Sequence, residues 1–341
     1  MFYSESFVRR TLLSALLACS FATSLHAAES FPRYGAQLED FEYPHPIRRH
    51  EFGSQRQSLS MAYLDVAPQG AANGRTVVLL HGKNFCAATW ESAIEALSGA
   101  GYRVIAPDQI GFCKSTKPER YQFSFAQLAA NTQGLLKSLG IERAVIVGHS
   151  MGGMLATRYA LQYPTAVEQL VLVNPIGLED WKTEGVPWRD IQDWYAGELK
   201  TDFESIKRYQ LAVYYGGHWK PEYDRWVGML AGMYAGPGKE RVAWNQALAS
   251  DMVFNQPVVY EFPNLKVPTT LFIGQRDRTA IGKDKAPPDV AKRLGNYPAL
   301  GKRTAKAIPG STLIEFEDLG HSPQVEDPAR FNAALVKALN R

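Results

Sequence analysis

The chain has 341 residues, 45% of them hydrophobic and 21% charged, and carries a formal net charge of +3. That is enough apolar material for one large domain with a sizeable insertion, or for two domains, and it excludes a disordered chain. The small net charge, without any lysine or arginine run interleaved with aromatics, excludes a nucleic-acid surface, so no nucleic acid is expected as a partner.

In chain order, Arg9-Arg10 precede a short apolar stretch over 11–25, and the small residues Ala27-Ala28 follow. This reads as a secretory signal peptide over 1–28, too short to span a membrane. A periplasmic or secreted protein without stable membrane insertion is the expectation. The alternative is carried by Leu16-Leu17-Ala18-Cys19, which resembles a lipoprotein box and would anchor the protein through a lipid on Cys19.

Residues 47–52 and 59–66 read as two strands joined by a polar turn at Gly53-Ser54-Gln55. Short apolar runs then alternate with helical patterns, the signature of parallel β-α-β units. Thr76-Val77-Val78-Leu79-Leu80 runs into His81-Gly82-Lys83-Asn84, 89–99 is helical, and Val104-Ile105-Ala106 is a strand shortly before Asp108. Phe125, Leu128, Thr132, Leu135, Leu136 and Leu139 keep helical spacing until Gly140 ends it. Ala144-Val145-Ile146-Val147 then enters Gly148-His149-Ser150-Met151-Gly152-Gly153 and a helical stretch over 154–162. That is a strand, a sharp turn and a helix with serine at the apex. A serine hydroxyl becomes a nucleophile only beside a base and beside N–H groups that hold an oxyanion, and glycines at 148 and 152 let neighbouring backbone pass close to it.

Leu170-Val171-Leu172-Val173-Asn174 is the next strand, after which the alternation stops from 178 to 262, a segment rich in tryptophan and tyrosine. It resumes at Thr269-Thr270-Leu271-Phe272-Ile273, which ends in Gly274-Gln275-Arg276-Asp277. The basic stretch 282–307 predicts a solvated helix and loop. Thr312-Leu313-Ile314-Glu315-Phe316 leads to Asp318-Leu319-Gly320-His321, and Phe331, Ala334, Leu335 and Ala338 share one face of a closing helix.

The order serine, acid, histidine goes with such an elbow. With the four motifs from His81-Gly82 to His321, nearly all the chain after about Phe41 resembles the α/β-hydrolase family, in its lidded serine hydrolase and esterase branch. The resemblance implies an α/β fold: a mostly parallel eight-stranded sheet flanked by helices, with the core over 29–177 and 263–341. A helical lid over 178–262 follows the sixth strand, most of its aromatics packing its own core and a few lining the substrate pocket. The nucleophile implied is Ser150, the base His321 and the orienting acid Asp277, with Asp108 left as a loop-ordering carboxylate. The oxyanion hole implied is the backbone N–H of Lys83 and of Met151, with the Lys83 ammonium expected in solvent. The same fold makes the loops of Cys86 and Cys113 neighbours, so a Cys86–Cys113 disulfide is expected in an oxidising compartment, with two free thiols as the alternative. No C-x-x-C pair or histidine cluster points to a metal, and no cofactor is expected.

Serine at the apex excludes the dehalogenase and epoxide hydrolase chemistries of the family, which need a carboxylate there. The expected activity is hydrolysis of a small or medium acyl ester or lactone, as by a carboxylesterase, with a small molecule as partner. The alternatives are cleavage of a carbon–carbon bond in a vinylogous diketone, of a thioester or of an N-terminal peptide bond, and a non-catalytic ligand-binding member of the fold.

Overall fold

Short runs of valine, leucine and isoleucine, apolar at every position, build strands that must be covered on both faces. The central strands are of this kind and the opening strand is largely exposed; eight strands form one sheet in the order β1-β2-β4-β3-β5-β6-β7-β8. They are β1 (Ile47–Ser54), β2 (Gln57–Val66), β3 (Thr76–Leu80), β4 (Arg103–Pro107), β5 (Ala144–His149), β6 (Val167–Val173), β7 (Thr269–Gly274) and β8 (Thr312–Phe316). β1 with β2 and β2 with β4 pair antiparallel, and all other pairs are parallel. The computed structural model describes residues 1–2 and 32–340. Arg9-Arg10, the apolar stretch 11–25, Cys19 and Ala27-Ala28 lie outside the described residues.

The opening hairpin differs from expectation in its turn. The ladder continues to Ser54 opposite Gln57, which leaves Gln55 and Arg56 as the turn, with φ of 50° and 60°. A two-residue loop with both residues left-handed matches the twist of the flanking strands, and that demand overrides the usual glycine or asparagine preference.

Alternate residues of the central strands feed two cores. Val77, Leu79, Val145, Val147, Val171 and Val173 face α1 (Glu91–Gly99) and the closing helix, where Trp90, Ile94, Leu97, Phe331 and Leu335 meet them. Val78, Leu80, Ile146, Leu170, Leu172 and Ile273 face α2 (Phe125–Ser138) and α3 (Met151–Gln162) through Leu128, Leu135, Leu155 and Tyr159. Each fully buried aliphatic side chain contributes about 1.5–3 kcal/mol of transfer free energy, so this period-two pattern sets the register.

Between β6 and β7 the chain forms four helices, α4 (Ile191–Glu198), α5 (Phe203–Val213), α6 (Asp224–Ala235) and α7 (Lys239–Asn255). Local chemistry starts the first two. Asp190 accepts from the N–H groups of Gln192 and Asp193, and Asp202 forms a capping box with Ser205.

The stretch 282–307 is more than a solvated connection. It carries α8 (Pro288–Arg293) and α9 (Tyr297–Ala307), and α9 buries Tyr297, Leu300, Gly301 and Thr304. A Cβ at Gly301 would lie 3.0 Å from Ile273, so this helix packs on β7. The lysines and arginines lie on the other side of an amphipathic helix, and their number hides the apolar stripe in the sequence. The chain closes with α10 (Pro323–Glu326) and α11 (Pro328–Leu339).

Candidate active site

Ser150 stands between the last residue of β5 and the first of α3, with φ 55° and ψ −120°, a backbone conformation that L-residues rarely adopt. The neighbouring glycines allow the crowding this demands. A Cβ on Gly148 would lie 2.1 Å from the carbonyl oxygen of Gly152, and one on Gly152 would lie 2.2 Å from that of Leu80. The turn is held at both ends, because Ser150 N–H donates to the Val173 carbonyl at 3.1 Å and the Ser150 carbonyl accepts from Ile176 N–H at 3.2 Å.

Three loops at the carboxyl ends of β5, β7 and β8 bring Ser150, Asp277 and His321 together. His321 Nε2 lies 2.9 Å from Ser150 Oγ, and its Nδ1 lies 2.6 Å from Asp277 Oδ2. Ser150 is 4% exposed and the other two are fully buried. Asp277 accepts two further hydrogen bonds: Oδ1 from Thr279 N–H at 2.8 Å and Oδ2 from the Asn174 amide at 2.9 Å. Asn174 is itself pinned, since its Oδ1 accepts from Gly274 N–H at 2.9 Å and its Nδ2 also donates to the Gly274 carbonyl at 3.3 Å. A serine hydroxyl so placed can pass its proton to the imidazole, and the carboxylate can hold the imidazole with Nδ1 protonated.

The backbone of His321 is fixed on every side. Its N–H donates to the Tyr214 carbonyl at 2.8 Å, and its carbonyl accepts from His149 Nε2 at 2.8 Å. Burial, assisted by the neighbouring His321, holds His149 well below the usual histidine range, so it serves as a neutral donor and not as a second base. The Glu326 carboxylate accepts from Gly320 N–H at 2.9 Å and from Ser322 N–H at 3.0 Å, the two residues flanking His321. Burial pushes its carboxyl up to about 7.

The expected oxyanion donors stand beside the serine. A Cβ at Gly82 would lie 2.9 Å from the Cβ of Ser150, so the loop after β3 runs against the nucleophile. The N–H groups of Lys83 and Met151 take no partner among the described residues. The Lys83 ammonium departs from expectation. It does not sit free in solvent but pairs with Glu198 on α4 at 2.8 Å, both side chains being largely buried. The other oxygen of Glu198 accepts from the Tyr234 hydroxyl.

Asp108 orders loops. It accepts from Ala87 N–H, Lys114 N–H and the Tyr43 hydroxyl. The structure joins Cys86 to Cys113 with a Cα–Cα distance of 5.9 Å, within the range of ordinary disulfides. Cys86, Cys113 and Asp108 also bring potential ligand atoms within 4.8 Å of one another. Sulfurs bonded to each other offer no thiolate, so this group does not fit a metal ion.

Above Ser150 lies a cavity of about 470 Å³. Helices α4 to α6 and the segment just after α5 give it Trp194, Tyr209, Tyr214 and Tyr234, and the basic stretch gives it Lys283 and Asp284. Trp181, Tyr215, Tyr223 and Trp226 are instead buried in packing. The roles of Asn174, Thr279, Tyr214 and Glu326 have no local motif in the sequence. Only the Gly274-to-Asp277 spacing and the offset of five between His321 and Glu326 hint at them.

The sequence model for the alpha/beta hydrolase fold matches residues 75–328. An uncharacterized protein of Mycobacterium bovis is 40% identical over 108 residues, 32% of this chain, so the match spans about a third (31%) of that relative's length. The AB hydrolase superfamily protein YfhM of Bacillus subtilis is 38% identical over 81% of this chain and 94% of its own. A 2-hydroxy-6-oxo-2,4-heptadienoate hydrolase of Pseudomonas putida is 30% identical over 78% of this chain and 88% of its own. The crystal structure of a probable hydrolytic enzyme from Pseudomonas aeruginosa PAO1 superposes with a TM-score of 0.90 at 62% identity, covering 91% of this chain and 99% of that one. The eight-stranded, mostly parallel sheet with helices on both of its faces is in accord with these matches, and the chain belongs to the α/β-hydrolase fold family.

Proposed function

We propose that this chain is an exported serine hydrolase that cleaves carboxylic esters or lactones of small or medium acyl size through an acyl-enzyme on Ser150. The observation that carries the reading is the hydrogen-bonded line Ser150, His321, Asp277 beside two backbone N–H groups that take no partner among the described residues. Ser150 Oγ attacks the carbonyl carbon while His321 Nε2 takes its proton. The oxygen of the tetrahedral intermediate accepts from Lys83 and Met151 N–H, the alcohol leaves with the proton from His321, and the acyl group stays on Ser150. Water then gives a proton to His321 and attacks the acyl carbon. Collapse of the second intermediate returns that proton to Ser150 and releases the acid. Asp277 stays ionised throughout and holds the imidazole with Nδ1 protonated. The cavity of about 470 Å³ is within the range that encloses small-molecule ligands.

Export rests on the signal-like segment 1–28, and the Cys86–Cys113 pairing supports an oxidising destination. A lipid on Cys19 is the alternative anchor, and the intact mass of the mature N-terminus separates the two.

A second reading, hydrolysis of a carbon–carbon bond, is favoured by the Pseudomonas putida relative, whose name is that of a dienoate hydrolase. One experiment tests both. A fluorophosphonate probe should label Ser150, located by peptide mass, and p-nitrophenyl esters of graded acyl length, lactones and vinylogous diketones are then compared by kcat/KM. Labelling with ester or lactone turnover supports the proposal. Turnover of the diketones alone supports the second reading, and folded protein that neither labels nor turns over any of them refutes both.

A further inference from the structure

We infer that Tyr214, from the helical segment over the site, is a positioning residue of the catalytic apparatus, acting on His321 and on the oxyanion loop together. The inference rests on the serine-hydrolase reading above and concerns a residue that no motif marks.

Tyr214 follows the last turn of α5, is 4% exposed and lines the cavity that holds Ser150. It reaches three loops at once. Its carbonyl accepts from His321 N–H at 2.8 Å, and the preceding carbonyl, that of Val213, accepts from Arg278 N–H at 3.2 Å, one residue beyond Asp277. Its ring lies over the imidazole of His321, with centroids 4.2 Å apart and planes inclined by 31°. Its hydroxyl accepts from the Asn84 amide at 3.0 Å, next to the Lys83 N–H that faces the developing oxyanion. A Cβ at Gly320 would lie 1.8 Å from the Tyr214 carbonyl oxygen, so glycine before the histidine is what admits this contact.

These contacts matter most in the transition state. When Ser150 gives up its proton, His321 becomes an imidazolium, and the face of an aromatic ring carries the negative side of its quadrupole. A desolvated ring at this distance stabilises the cation more than the neutral imidazole, so it lowers the barrier and not the ground state. The phenol adds a restraint on Asn84, keeping the oxyanion loop against Ser150. A side chain that merely filled space would make neither contribution.

The test is steady-state hydrolysis of p-nitrophenyl acetate, a substrate small enough to spare most of the cavity wall, by the mature enzyme and its variants. Tyr214→Leu should lose roughly 10-fold or more in kcat with KM changed by less than about 2-fold, whereas Tyr214→Phe, which keeps the ring, should recover all but about 3-fold. The rate of fluorophosphonate labelling should fall in parallel with kcat. Should Tyr214→Leu fail to fold, Tyr214→Phe and Asn84→Ala, singly and combined, carry the test. Equal and non-additive losses in kcat support the assignment, and unchanged or additive values overturn it. An active wild type matched in kcat by folded Tyr214→Leu, or Tyr214→Phe as impaired as Tyr214→Leu, would overturn the inference alone. An inert, unlabelled wild type would overturn the serine-hydrolase reading and this inference with it.

Discussion

Replacing Asp277 by asparagine tests the chemistry most closely, because the structure dictates what the new amide must do. The carboxylate accepts from three donors: His321 Nδ1 and the Asn174 amide on one oxygen, and Thr279 N–H on the other. Asparagine offers one acceptor oxygen and one NH2 group. If its oxygen keeps Thr279, its NH2 opposes the Asn174 amide and faces His321 Nδ1. The imidazole then carries its proton on Nε2 and cannot take the proton of Ser150. If the oxygen keeps His321 and Asn174, the NH2 opposes Thr279 N–H, and the imidazolium has no carboxylate beside it. Asn174 cannot relieve the clash by turning, since Gly274 holds both ends of its amide. Either orientation leaves one buried donor unpaired, a cost of about 1–3 kcal/mol in stability. The catalytic loss from wrong tautomer or missing charge is on the order of 10²–10⁴-fold in kcat. Thermal melts and p-nitrophenyl acetate kinetics on Asp277→Asn measure the two separately. A folded variant within tenfold of wild-type kcat would refute this reasoning, as would an Asp108→Asn variant that is the more impaired of the two.

Ser150→Ala should abolish turnover and fluorophosphonate labelling while moving the melting temperature little, because alanine takes the same strained backbone and only the attacking oxygen goes; activity near wild type would exclude Ser150 as nucleophile. The Cys86–Cys113 bond closes a separation of 27 residues, worth about 3.5 kcal/mol in the chain-entropy model. Reductant should lower the melting temperature by several degrees, and two alkylatable thiols in protein purified under oxidising conditions without reductant would exclude the bond. Glu326 supplies a pH dependence: its carboxyl sits at about 7 in the fold against an ordinary value of 4.5. A raised value means that the folded state holds the proton more tightly. This contribution, on the order of 3 kcal/mol, is therefore complete below about pH 4.5 and disappears as pH rises through 7. Glu326→Gln should flatten the fall in melting temperature between pH 5 and 8, and identical slopes in wild type and variant would count against the assignment.

The succession of strands along the chain, the serine elbow, and the strand-end places of Asp277 and His321 are legible in the sequence because each depends on neighbours within a few residues. An apolar run writes a buried strand, a glycine beside Ser150 writes close backbone approach, and a strand end followed by a polar residue writes a rim position. The hairpin turn escaped, because the twist of β1 and β2 and not the identity of Gln55 and Arg56 selects it. The packed face of α9 escaped for a related reason: its basic residues outnumber the few apolar ones that meet β7.

What only the tertiary structure decided is how groups far apart in sequence divide the work at one point. Asn174 orients Asp277 across 103 residues, and His149 fixes the His321 carbonyl across 172. Glu198 draws in the Lys83 ammonium across 115, and Tyr214 covers His321 from a segment with no motif of its own. Such contacts leave no periodicity and no spacing, because their energy comes from satisfying buried polar groups after the chain has closed around them, and any segment that the fold brings within about 3 Å can supply the partner.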